Sequence, residues 1–463
     1  MNSKILGFQS YLIFSLPVLL LTGSFLPDLS IVLCGIFFII LSIKNKEWHY
    51  YLHPLSIIFF TWCSYIVLRS LLSSYPTTSL ESSLFYFRFG FFALSVWYII
   101  DKNPNFIRIF TLVISLTFLV VVIDSYIQFF TGSNLLGFTL FYSEVYTGNI
   151  GAAHRLSGFF DDKLILGSYL SRLLPIIFAF ITLQYSNSKI ITVLSMLLLI
   201  ATDLIVFISG ERSAFLYLII ITTLIVLFVK KWRLLRVYTI LISISIMTIV
   251  ALNNKDVKNR MIDYTLEQLN IISLFSSTNE NNIKLSTDSN KKSKLQSYIE
   301  GDLSFEESGI GNNRIIVFSW HHQRHYQSAL KMFSDHPIFG VGPKLFKELC
   351  KEDKYFDEYS CSTHPHNTYI QLLSETGLVG FIPVFSGFLF VCFIFLRQLF
   401  IKSSNKMISS INDYQLCLYC AIFVTLWPLV PTGSIFNNWL GVIYFMPIGF
   451  LLSSYRKRSD INN

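Results

Sequence analysis

The sequence predicts an all-α polytopic membrane protein of about twelve transmembrane helices, with one large extracytoplasmic loop between the ninth and the tenth. Three observations predict it. Hydrophobic residues make up 53% of the 463 positions and charged residues only 14%, whereas roughly a quarter of an ordinary soluble domain is charged. Of the 64 Lys, Arg, Asp and Glu residues, 29 fall between Asn253 and His366, so the rest of the chain is nearly bare of charge. Finally, Lys and Arg recur in every second connection between apolar runs, which is the pattern that orients helices in a bilayer.

The apolar runs lie at about residues 6–23, 27–43, 54–72, 80–100, 106–130, 162–184, 189–208, 213–229, 235–252, 378–396, 412–430 and 436–454; each is long enough to cross about 30 Å of hydrocarbon. The first run, after Lys4, is read as a retained helix, not as a signal peptide. One set of connections carries Lys4, Lys44, Lys46, Lys102, Arg108, Lys189, Lys230, Lys231, Arg233, Arg236, Arg397, Lys402, Lys406, Arg456, Lys457 and Arg458. The opposite short connections carry almost none. Both termini are therefore expected in the cytoplasm. The chain divides into residues 1–252 (helices 1–9), 253–366 (the extracytoplasmic loop) and 367–463 (helices 10–12 and a cytoplasmic tail). A net charge of +8 follows from this topology, and no nucleic-acid partner is needed to explain it.

Arg69, Glu81, Arg88, Asp124, Arg172 and Asp203 fall in the outer halves of their runs. Ionisable groups are costly inside a membrane and face partners or cavities; six on one side suggest a polar cavity open to the outside. In the loop, residues 253–310 are rich in Ser, Asn, Lys and Glu, and 276–294 in particular do not read as packed structure. Asp256–Leu269 has the pattern of a short amphipathic helix. Ile315, Phe318, His322, Ala329 and Phe333 recur at helical spacing up to Asp335-His336-Pro337. His321 and His325 have a zinc-like spacing but no third ligand, so a solvated helix face is the stronger reading. There is no glycine-rich phosphate loop and no GxSxG. Cys350 and Cys361 are the loop's two cysteines, and an oxidising compartment would join them. Cys34, Cys63, Cys392, Cys417 and Cys420 read as apolar filler.

Three outward-facing stretches resemble one family together. They are Ser209-Gly210-Glu211-Arg212-Ser213, then Arg314 opening a helix that leads to His336-Pro337-Ile338-Phe339-Gly340-Val341-Gly342, then His366-Asn367 followed by Gly377-Leu378-Val379-Gly380. The chain resembles the O-antigen ligase and O-antigen polymerase superfamily of bacterial inner-membrane enzymes; Arg155-Leu156-Ser157-Gly158 through Gly167-Ser168-Tyr169 shares the likeness. The long polar stretch between Arg212 and Arg314 departs from the family's pattern. The resemblance implies a glycosyltransferase without metal or other cofactor, acting at the periplasmic face. It would move a glycan from a polyprenyl-diphosphate carrier to the lipid A core, with inversion. Arg212 and Arg314 match the family's diphosphate-binding arginines, with Arg155 a further candidate, and His366 matches its functional histidine. Arginine suits this role because its planar fork matches phosphate oxygens, and an imidazole can take the acceptor hydroxyl's proton. Arg88, Asp124, Arg172, His364 and Asn367 are candidates to line the same cavity. Helix anchoring remains the alternative for Arg212, a surface position for Arg314 and loop capping for His366, with His364 as the other possible base.

The likeness leaves two acceptors open: the lipid A core for a ligase, or another lipid-linked repeat for a polymerase of O-antigen or exopolysaccharide. A polytopic transporter is the reading from another class; no internal repeat or pair of broken helices supports it. The topology gives a direct expectation: reporter fusions at Lys231 and Ser286 should report opposite compartments, and the same compartment for both would overturn the orientation.

Overall fold

The computed structural model describes residues 2–143, 153–184, 188–263, 265–266, 320–357, 360–403 and 411–459. Arg314 and the Ser-, Asn- and Lys-rich part of the loop lie outside these residues. The described chain is a bundle of α1 (Asn2–Leu19), α2 (Phe25–Lys44), α3 (Pro54–Leu71), α4 (Pro76–Ser83), α5 (Arg88–Lys102), α6 (Phe106–Thr131), α7 (Leu166–Gln184), α8 (Lys189–Ile208), α9 (Arg212–Phe228), α10 (Arg233–Asn253), α11 (Lys255–Lys258), α12 (Trp320–Asp335), α13 (Phe346–Leu349), α14 (Thr368–Ser403), α15 (Asp413–Thr425) and α16 (Asn438–Ser459). Among the described residues, eight helical segments are long and apolar enough to cross a membrane, α4 and α5 counting as one; α1, α9 and α15 are shorter apolar helices. A helix satisfies its own backbone groups, which hydrocarbon cannot do for it. The apolar runs therefore have no cheaper solution. α5 packs between α2 and α16, α7 against α15 and α9, and α8 against α10.

The structure departs from the sequence reading in several places. The run at 80–100 is two helices, broken at residues 84–87. The run at 162–184 becomes helical only at Leu166, after a two-stranded hairpin of β1 (Phe141–Ser143) and β2 (Ala153–Arg155). Within 256–269, α11 is followed by a π-turn at Asn259–Asp263 and not by one continuous amphipathic helix. Arg236, read from the sequence as an inner-loop cation, is fully buried and pairs with Asp203 at 2.8 Å. Ser243 donates to the same carboxylate. Asp203 thus belongs to a closed ion pair between α8 and α10. Arg88 donates to Asp28, to Asn438 and to the Phe85 carbonyl, each at 2.7 Å. Asp124 accepts from the Leu135 amide at 2.9 Å and the Asn134 amide group at 3.3 Å, closing the loop after α6. Glu81 is exposed. Of the six outer-half ionisable residues, four are thus accounted for by structure or solvent; Arg69 belongs to a backbone joint described next, and only Arg172 lines the cavity described below.

At one end of the bundle, α12 and α13 form a small unit with its own core of Ala329, Met332, Val341, Leu345, Phe346, Leu349 and Tyr355. Cys350 and Cys361 are disulfide-bonded at its edge, with Cα atoms 5.4 Å apart. This unit is seated on α14 by a backbone crossing. The amides of Val341 and Gly342 donate to the carbonyls of Ser374 and Glu375, and those of Leu378 and Val379 donate to Pro337 and Ile338. Gly340 (φ +69°) and Gly377 (φ +61°) meet there in the left-handed region. A Cβ at Gly340 would overlap the Glu375 carbonyl carbon, and one at Gly377 the Ile338 carbonyl. Arg69 of α3 donates its Nε–H to the Gly340 carbonyl at 2.9 Å; it is therefore part of this joint and not of a cavity. Gly377→Ala combines an unfavourable φ with overpacking, so it should destabilise by about 1–3 kcal/mol. A thermal melt in detergent indistinguishable from the wild type would contradict the crossing.

Candidate functional site

The first motif stretch meets the Arg155–Tyr169 segment through Glu211. Its carboxylate accepts from the amides of Gly167 (2.7 Å) and Ser168 (3.1 Å) and from the Ser168 hydroxyl (2.9 Å). The residue before α9 therefore caps the start of α7, where a negative group is favoured. Burial pushes the Glu211 carboxyl up, and Arg155 opposes that shift. Beside it stand Arg155, Arg212 and Arg260. Burial, then the neighbouring Arg260 and Arg212, hold the Arg155 pKa down to about 10, with Glu211 opposing. Gly210 (φ +74°) makes the grouping possible: a Cβ there would stand 3.3 Å from side-chain atoms of both Arg155 and Arg260. Arg260 also donates to the Gly210 carbonyl at 3.2 Å. The sequence reading missed Arg260; its only signal was a basic residue soon after an apolar run.

The third motif explains itself locally. Asn367 is the N-cap of α14: its Oδ1 accepts from the amides of Tyr369 (3.0 Å) and Ile370 (3.1 Å), and its Nδ2 donates to the Pro428 carbonyl. Asn is among the preferred residues for that position. Its place as a cavity-lining candidate is thus taken by a capping role. His366 precedes it at φ +57°, a conformation few side chains adopt. Its carbonyl accepts from the Thr432 amide at 2.8 Å.

Around His366 lies a group of imidazoles. The ring of His364 is 4.1 Å away, that of His322 5.2 Å and that of His325 5.4 Å. The hydrogen bonds assign two of the tautomers. His364 Nε2 faces the Thr432 carbonyl at 3.1 Å, so it must donate; its Nδ1 then accepts from the Thr363 hydroxyl at 2.9 Å. Both nitrogens of His364 are occupied, and it has no lone pair to offer a substrate. His325 Nδ1 donates to the Ser360 carbonyl at 2.8 Å. Burial, then His364, His322 and His325, lower the His366 pKa to about 3, so this imidazole is neutral at physiological pH. Among the described residues no group of His, Cys, Asp or Glu has the arrangement of a metal site; the side chain of His321 lies outside them.

Thr432 joins this histidine group to a cavity of about 1060 Å³, which it lines together with Ser168, Arg172, Tyr217 and Trp439. Its hydroxyl lies 3.0 Å from that of Thr368. Tyr326 of α12, whose hydroxyl pKa burial raises, has Asn367 and Tyr217 as electrostatic neighbours. The histidines, the cavity and the start of α9 therefore occupy one end of the bundle. Arg212 opens α9 and Tyr217 lies five residues on, about 7.5 Å further along the helix axis. Arg88, Asp124, His364 and Asn367 do not line the cavity.

Residues 194–385 match the O-antigen ligase family. That stretch carries the O-antigen ligase signature and covers less than half of the chain. The matched stretch runs from α8 through α14 and so contains Arg212, Arg314, the whole α12–α13 unit, His366 and the glycine crossing. Arg155 and Arg172 lie upstream of it and Thr432 downstream. No curated protein matches the chain.

In this O-antigen ligase-like region the histidine group makes a pH signature. A pKa near 3 means that acidification from pH 8 to 5 leaves His366 unprotonated in the free protein. The second-order rate constant for transfer should therefore show no acidic limb from this residue in that range. In the unfolded chain the same group titrates near 6.5, so the unfolded state binds more protons between pH 6.5 and 3, and stability should fall as pH drops through that window. His366→Ala should reduce transfer by 100-fold or more, the usual range for a lost general base. His364→Ala should cost about tenfold or less, since it positions Thr432. An active His366→Ala protein would remove the residue from the chemistry.

Proposed function

We propose that the chain is an O-antigen ligase-like glycosyltransferase of the bacterial inner membrane. It moves a glycan from a polyprenyl-diphosphate carrier to the lipid A core at the periplasmic face. The observation that carries the reading is the O-antigen ligase match over residues 194–385, which spans both the arginine-bearing start of α9 and the half-buried, neutral His366.

The acceptor hydroxyl oxygen attacks the anomeric carbon while the bond from that carbon to the diphosphate oxygen breaks. The leaving polyprenyl diphosphate keeps the bonding electron pair, and the hydroxyl proton passes to the His366 imidazole. Attack opposite the leaving group inverts the anomeric centre. Arg212, Arg314 and Arg155 hold the diphosphate and stabilise the charge it gains, the role a metal ion fills in other transferases. A proton affinity as low as that of His366 would make a poor base on its own. A bound diphosphate supplies several negative charges and raises the proton affinity of an imidazole beside it, so base strength arises only once the donor is seated.

Lipopolysaccharide gels and carrier-lipid analysis of a deletion strain test the reading. Ligase loss leaves bare core and long glycan stranded on the carrier; core capped by one repeat would make the enzyme a polymerase, and unchanged profiles of both would refute transfer onto either acceptor. Arg212→Lys keeps charge but loses the bidentate fork, so complementation by it should be nearly as poor as by Arg212→Ala. Full complementation by Arg212→Lys would contradict a forked diphosphate contact.

A further inference from the structure

Residues 364–371, which carry His366, are held by one loop. The chain between α15 and α16, residues 426–437, lies along them. The Asn367 side chain donates to the Pro428 carbonyl at 2.8 Å, and the Tyr369 hydroxyl donates to the Leu426 carbonyl at 2.6 Å. One turn further on, Gln371 donates from Nε2 to the Ser434 hydroxyl at 2.9 Å and accepts at Oε1 from the Ile435 amide at 3.1 Å. These contacts come from α14 and its cap, and they fix where the loop lies. Thr432 stands in the middle of it, against the histidines.

At Thr432 the loop reaches His366 itself. The Thr432 amide donates to the His366 carbonyl at 2.8 Å, and its hydroxyl lies 3.0 Å from that of Thr368. Both threonines are buried, so this hydroxyl pair is shielded from water. His366 has φ +57°, a left-handed conformation that crowds a Cβ against the main chain. A glycine would hold that shape more cheaply. A histidine there is explained by what its ring does, and its backbone persists in that shape only if the surroundings impose it. The Thr432 amide is the partner its carbonyl is given. Thr432 also lines the 1060 Å³ cavity, whereas neither His364 nor His366 does; it therefore stands between the cavity and the main chain of His366. The loop lies outside residues 194–385, so the family match assigns it no role.

We infer that Thr432 is a positioning residue for His366. Its amide holds the histidine in its left-handed backbone conformation. Its hydroxyl, locked to Thr368 at the start of α14, keeps that amide in register with the His366 carbonyl. The inference rests on the transferase reading above and deepens it, since the imidazole that takes the acceptor's proton is aimed by a residue of the cavity wall. The acceptor hydroxyl loses its proton only within hydrogen-bond reach of a ring nitrogen. A small rotation of the His366 backbone therefore slows the chemical step and leaves substrate binding intact, so the loss falls on kcat.

Transfer between carrier-linked glycan and bare-core lipopolysaccharide from the deletion strain tests this, on the full chain in nanodiscs with rates normalised to folded protein. Thr432→Val keeps the shape and removes the hydroxyl; it should lower kcat about tenfold and change KM by about twofold or less. Thr432→Ser should recover most of the loss. Thr368→Val should match Thr432→Val, and the double variant should be no slower than either single one, because both remove the same contact. Amide hydrogen exchange needs no substrate. The Thr432 amide should exchange about 100-fold more slowly than an exposed amide, and Thr368→Val should cut that protection about tenfold. An unprotected Thr432 amide would overturn the inference, as would a wild-type kcat in Thr432→Val or a loss that Thr432→Ser does not recover. Additive losses in the double variant would also overturn it, and so would a raised KM at unchanged kcat, which would make Thr432 a substrate contact. Failure of the transferase reading looks different: the exchange pattern and its response to Thr368→Val would stand while the deletion strain kept normal lipopolysaccharide and carrier profiles.

Discussion

The candidate site depends on a place where two stretches of main chain touch without side chains between them. Residues 337–342 cross residues 374–379 with four amide-to-carbonyl bonds, and neither Gly340 nor Gly377 could carry a Cβ there. Around the joint, Arg69 holds the Gly340 carbonyl and the Glu375 carboxylate accepts from the amides of Lys344 and Phe346. Both features fix where the α12–α13 unit sits on α14. Because α12 carries His322 and His325 while the loop leading into α14 carries His364 and His366, the crossing is what makes one group of imidazoles from two distant parts of the chain. Strained glycine contacts of this kind persist only where the surroundings over-determine them, and here the surroundings are the site.

A second joint sets the electrostatics. Thr432 donates its amide to His366, accepts from His364 and pairs its hydroxyl with Thr368. Together with the Thr363 hydroxyl it consumes the hydrogen-bonding capacity of His364 and leaves His366 as the imidazole of that pair without an assigned tautomer. Imidazoles packed this closely in a half-buried setting disfavour a further positive charge, so His366 rests neutral. This makes the histidines responsive to whatever anion arrives, and it separates the free protein, in which His366 is a feeble base, from the occupied one.

The fold was legible because lipid enforces a simple code. Helices stand at the apolar runs, whereas Asn367, taken from the sequence as a cavity residue, is the N-cap of α14. The site was legible in its motifs but not in its supports. Arg88, Asp124 and Asp203 have the sequence signature of cavity residues, yet Asp28 with Asn438, Asn134 with the Leu135 amide, and Arg236 claim them. Those partners are distant in sequence or hidden as loop charges. Arg69 was misread for a different reason: its acceptors are backbone carbonyls, and a sequence shows side chains only. Arg260 went unnoticed because nothing in its immediate neighbours marks it; it matters through Gly210, as Thr432 does through the histidine loop.

Four arginines within the bundle allow an internal comparison. Arg88 is matched by a carboxylate, an amide oxygen and a carbonyl. Arg236 is matched by the Asp203 carboxylate and the Thr222 hydroxyl, and Arg69 by two main-chain carbonyls. One fold has therefore found full or near-full partners for three guanidinium groups, although they lie on different helices. The desolvation penalty for such an ion is several kcal/mol even after relaxation. Arg172 is buried as deeply as most of these, and in place of an acid it has two tyrosines: the Tyr217 hydroxyl accepts from it at 3.0 Å, and the rings of Tyr217 and Tyr444 face it. Cation–π contacts return about 2 kcal/mol when desolvated, and a hydrogen bond from a charged group adds about 1.5–3 kcal/mol, the same order as the penalty. The tyrosine pair is therefore what the fold supplies to this guanidinium where it supplies Arg236 with a carboxylate.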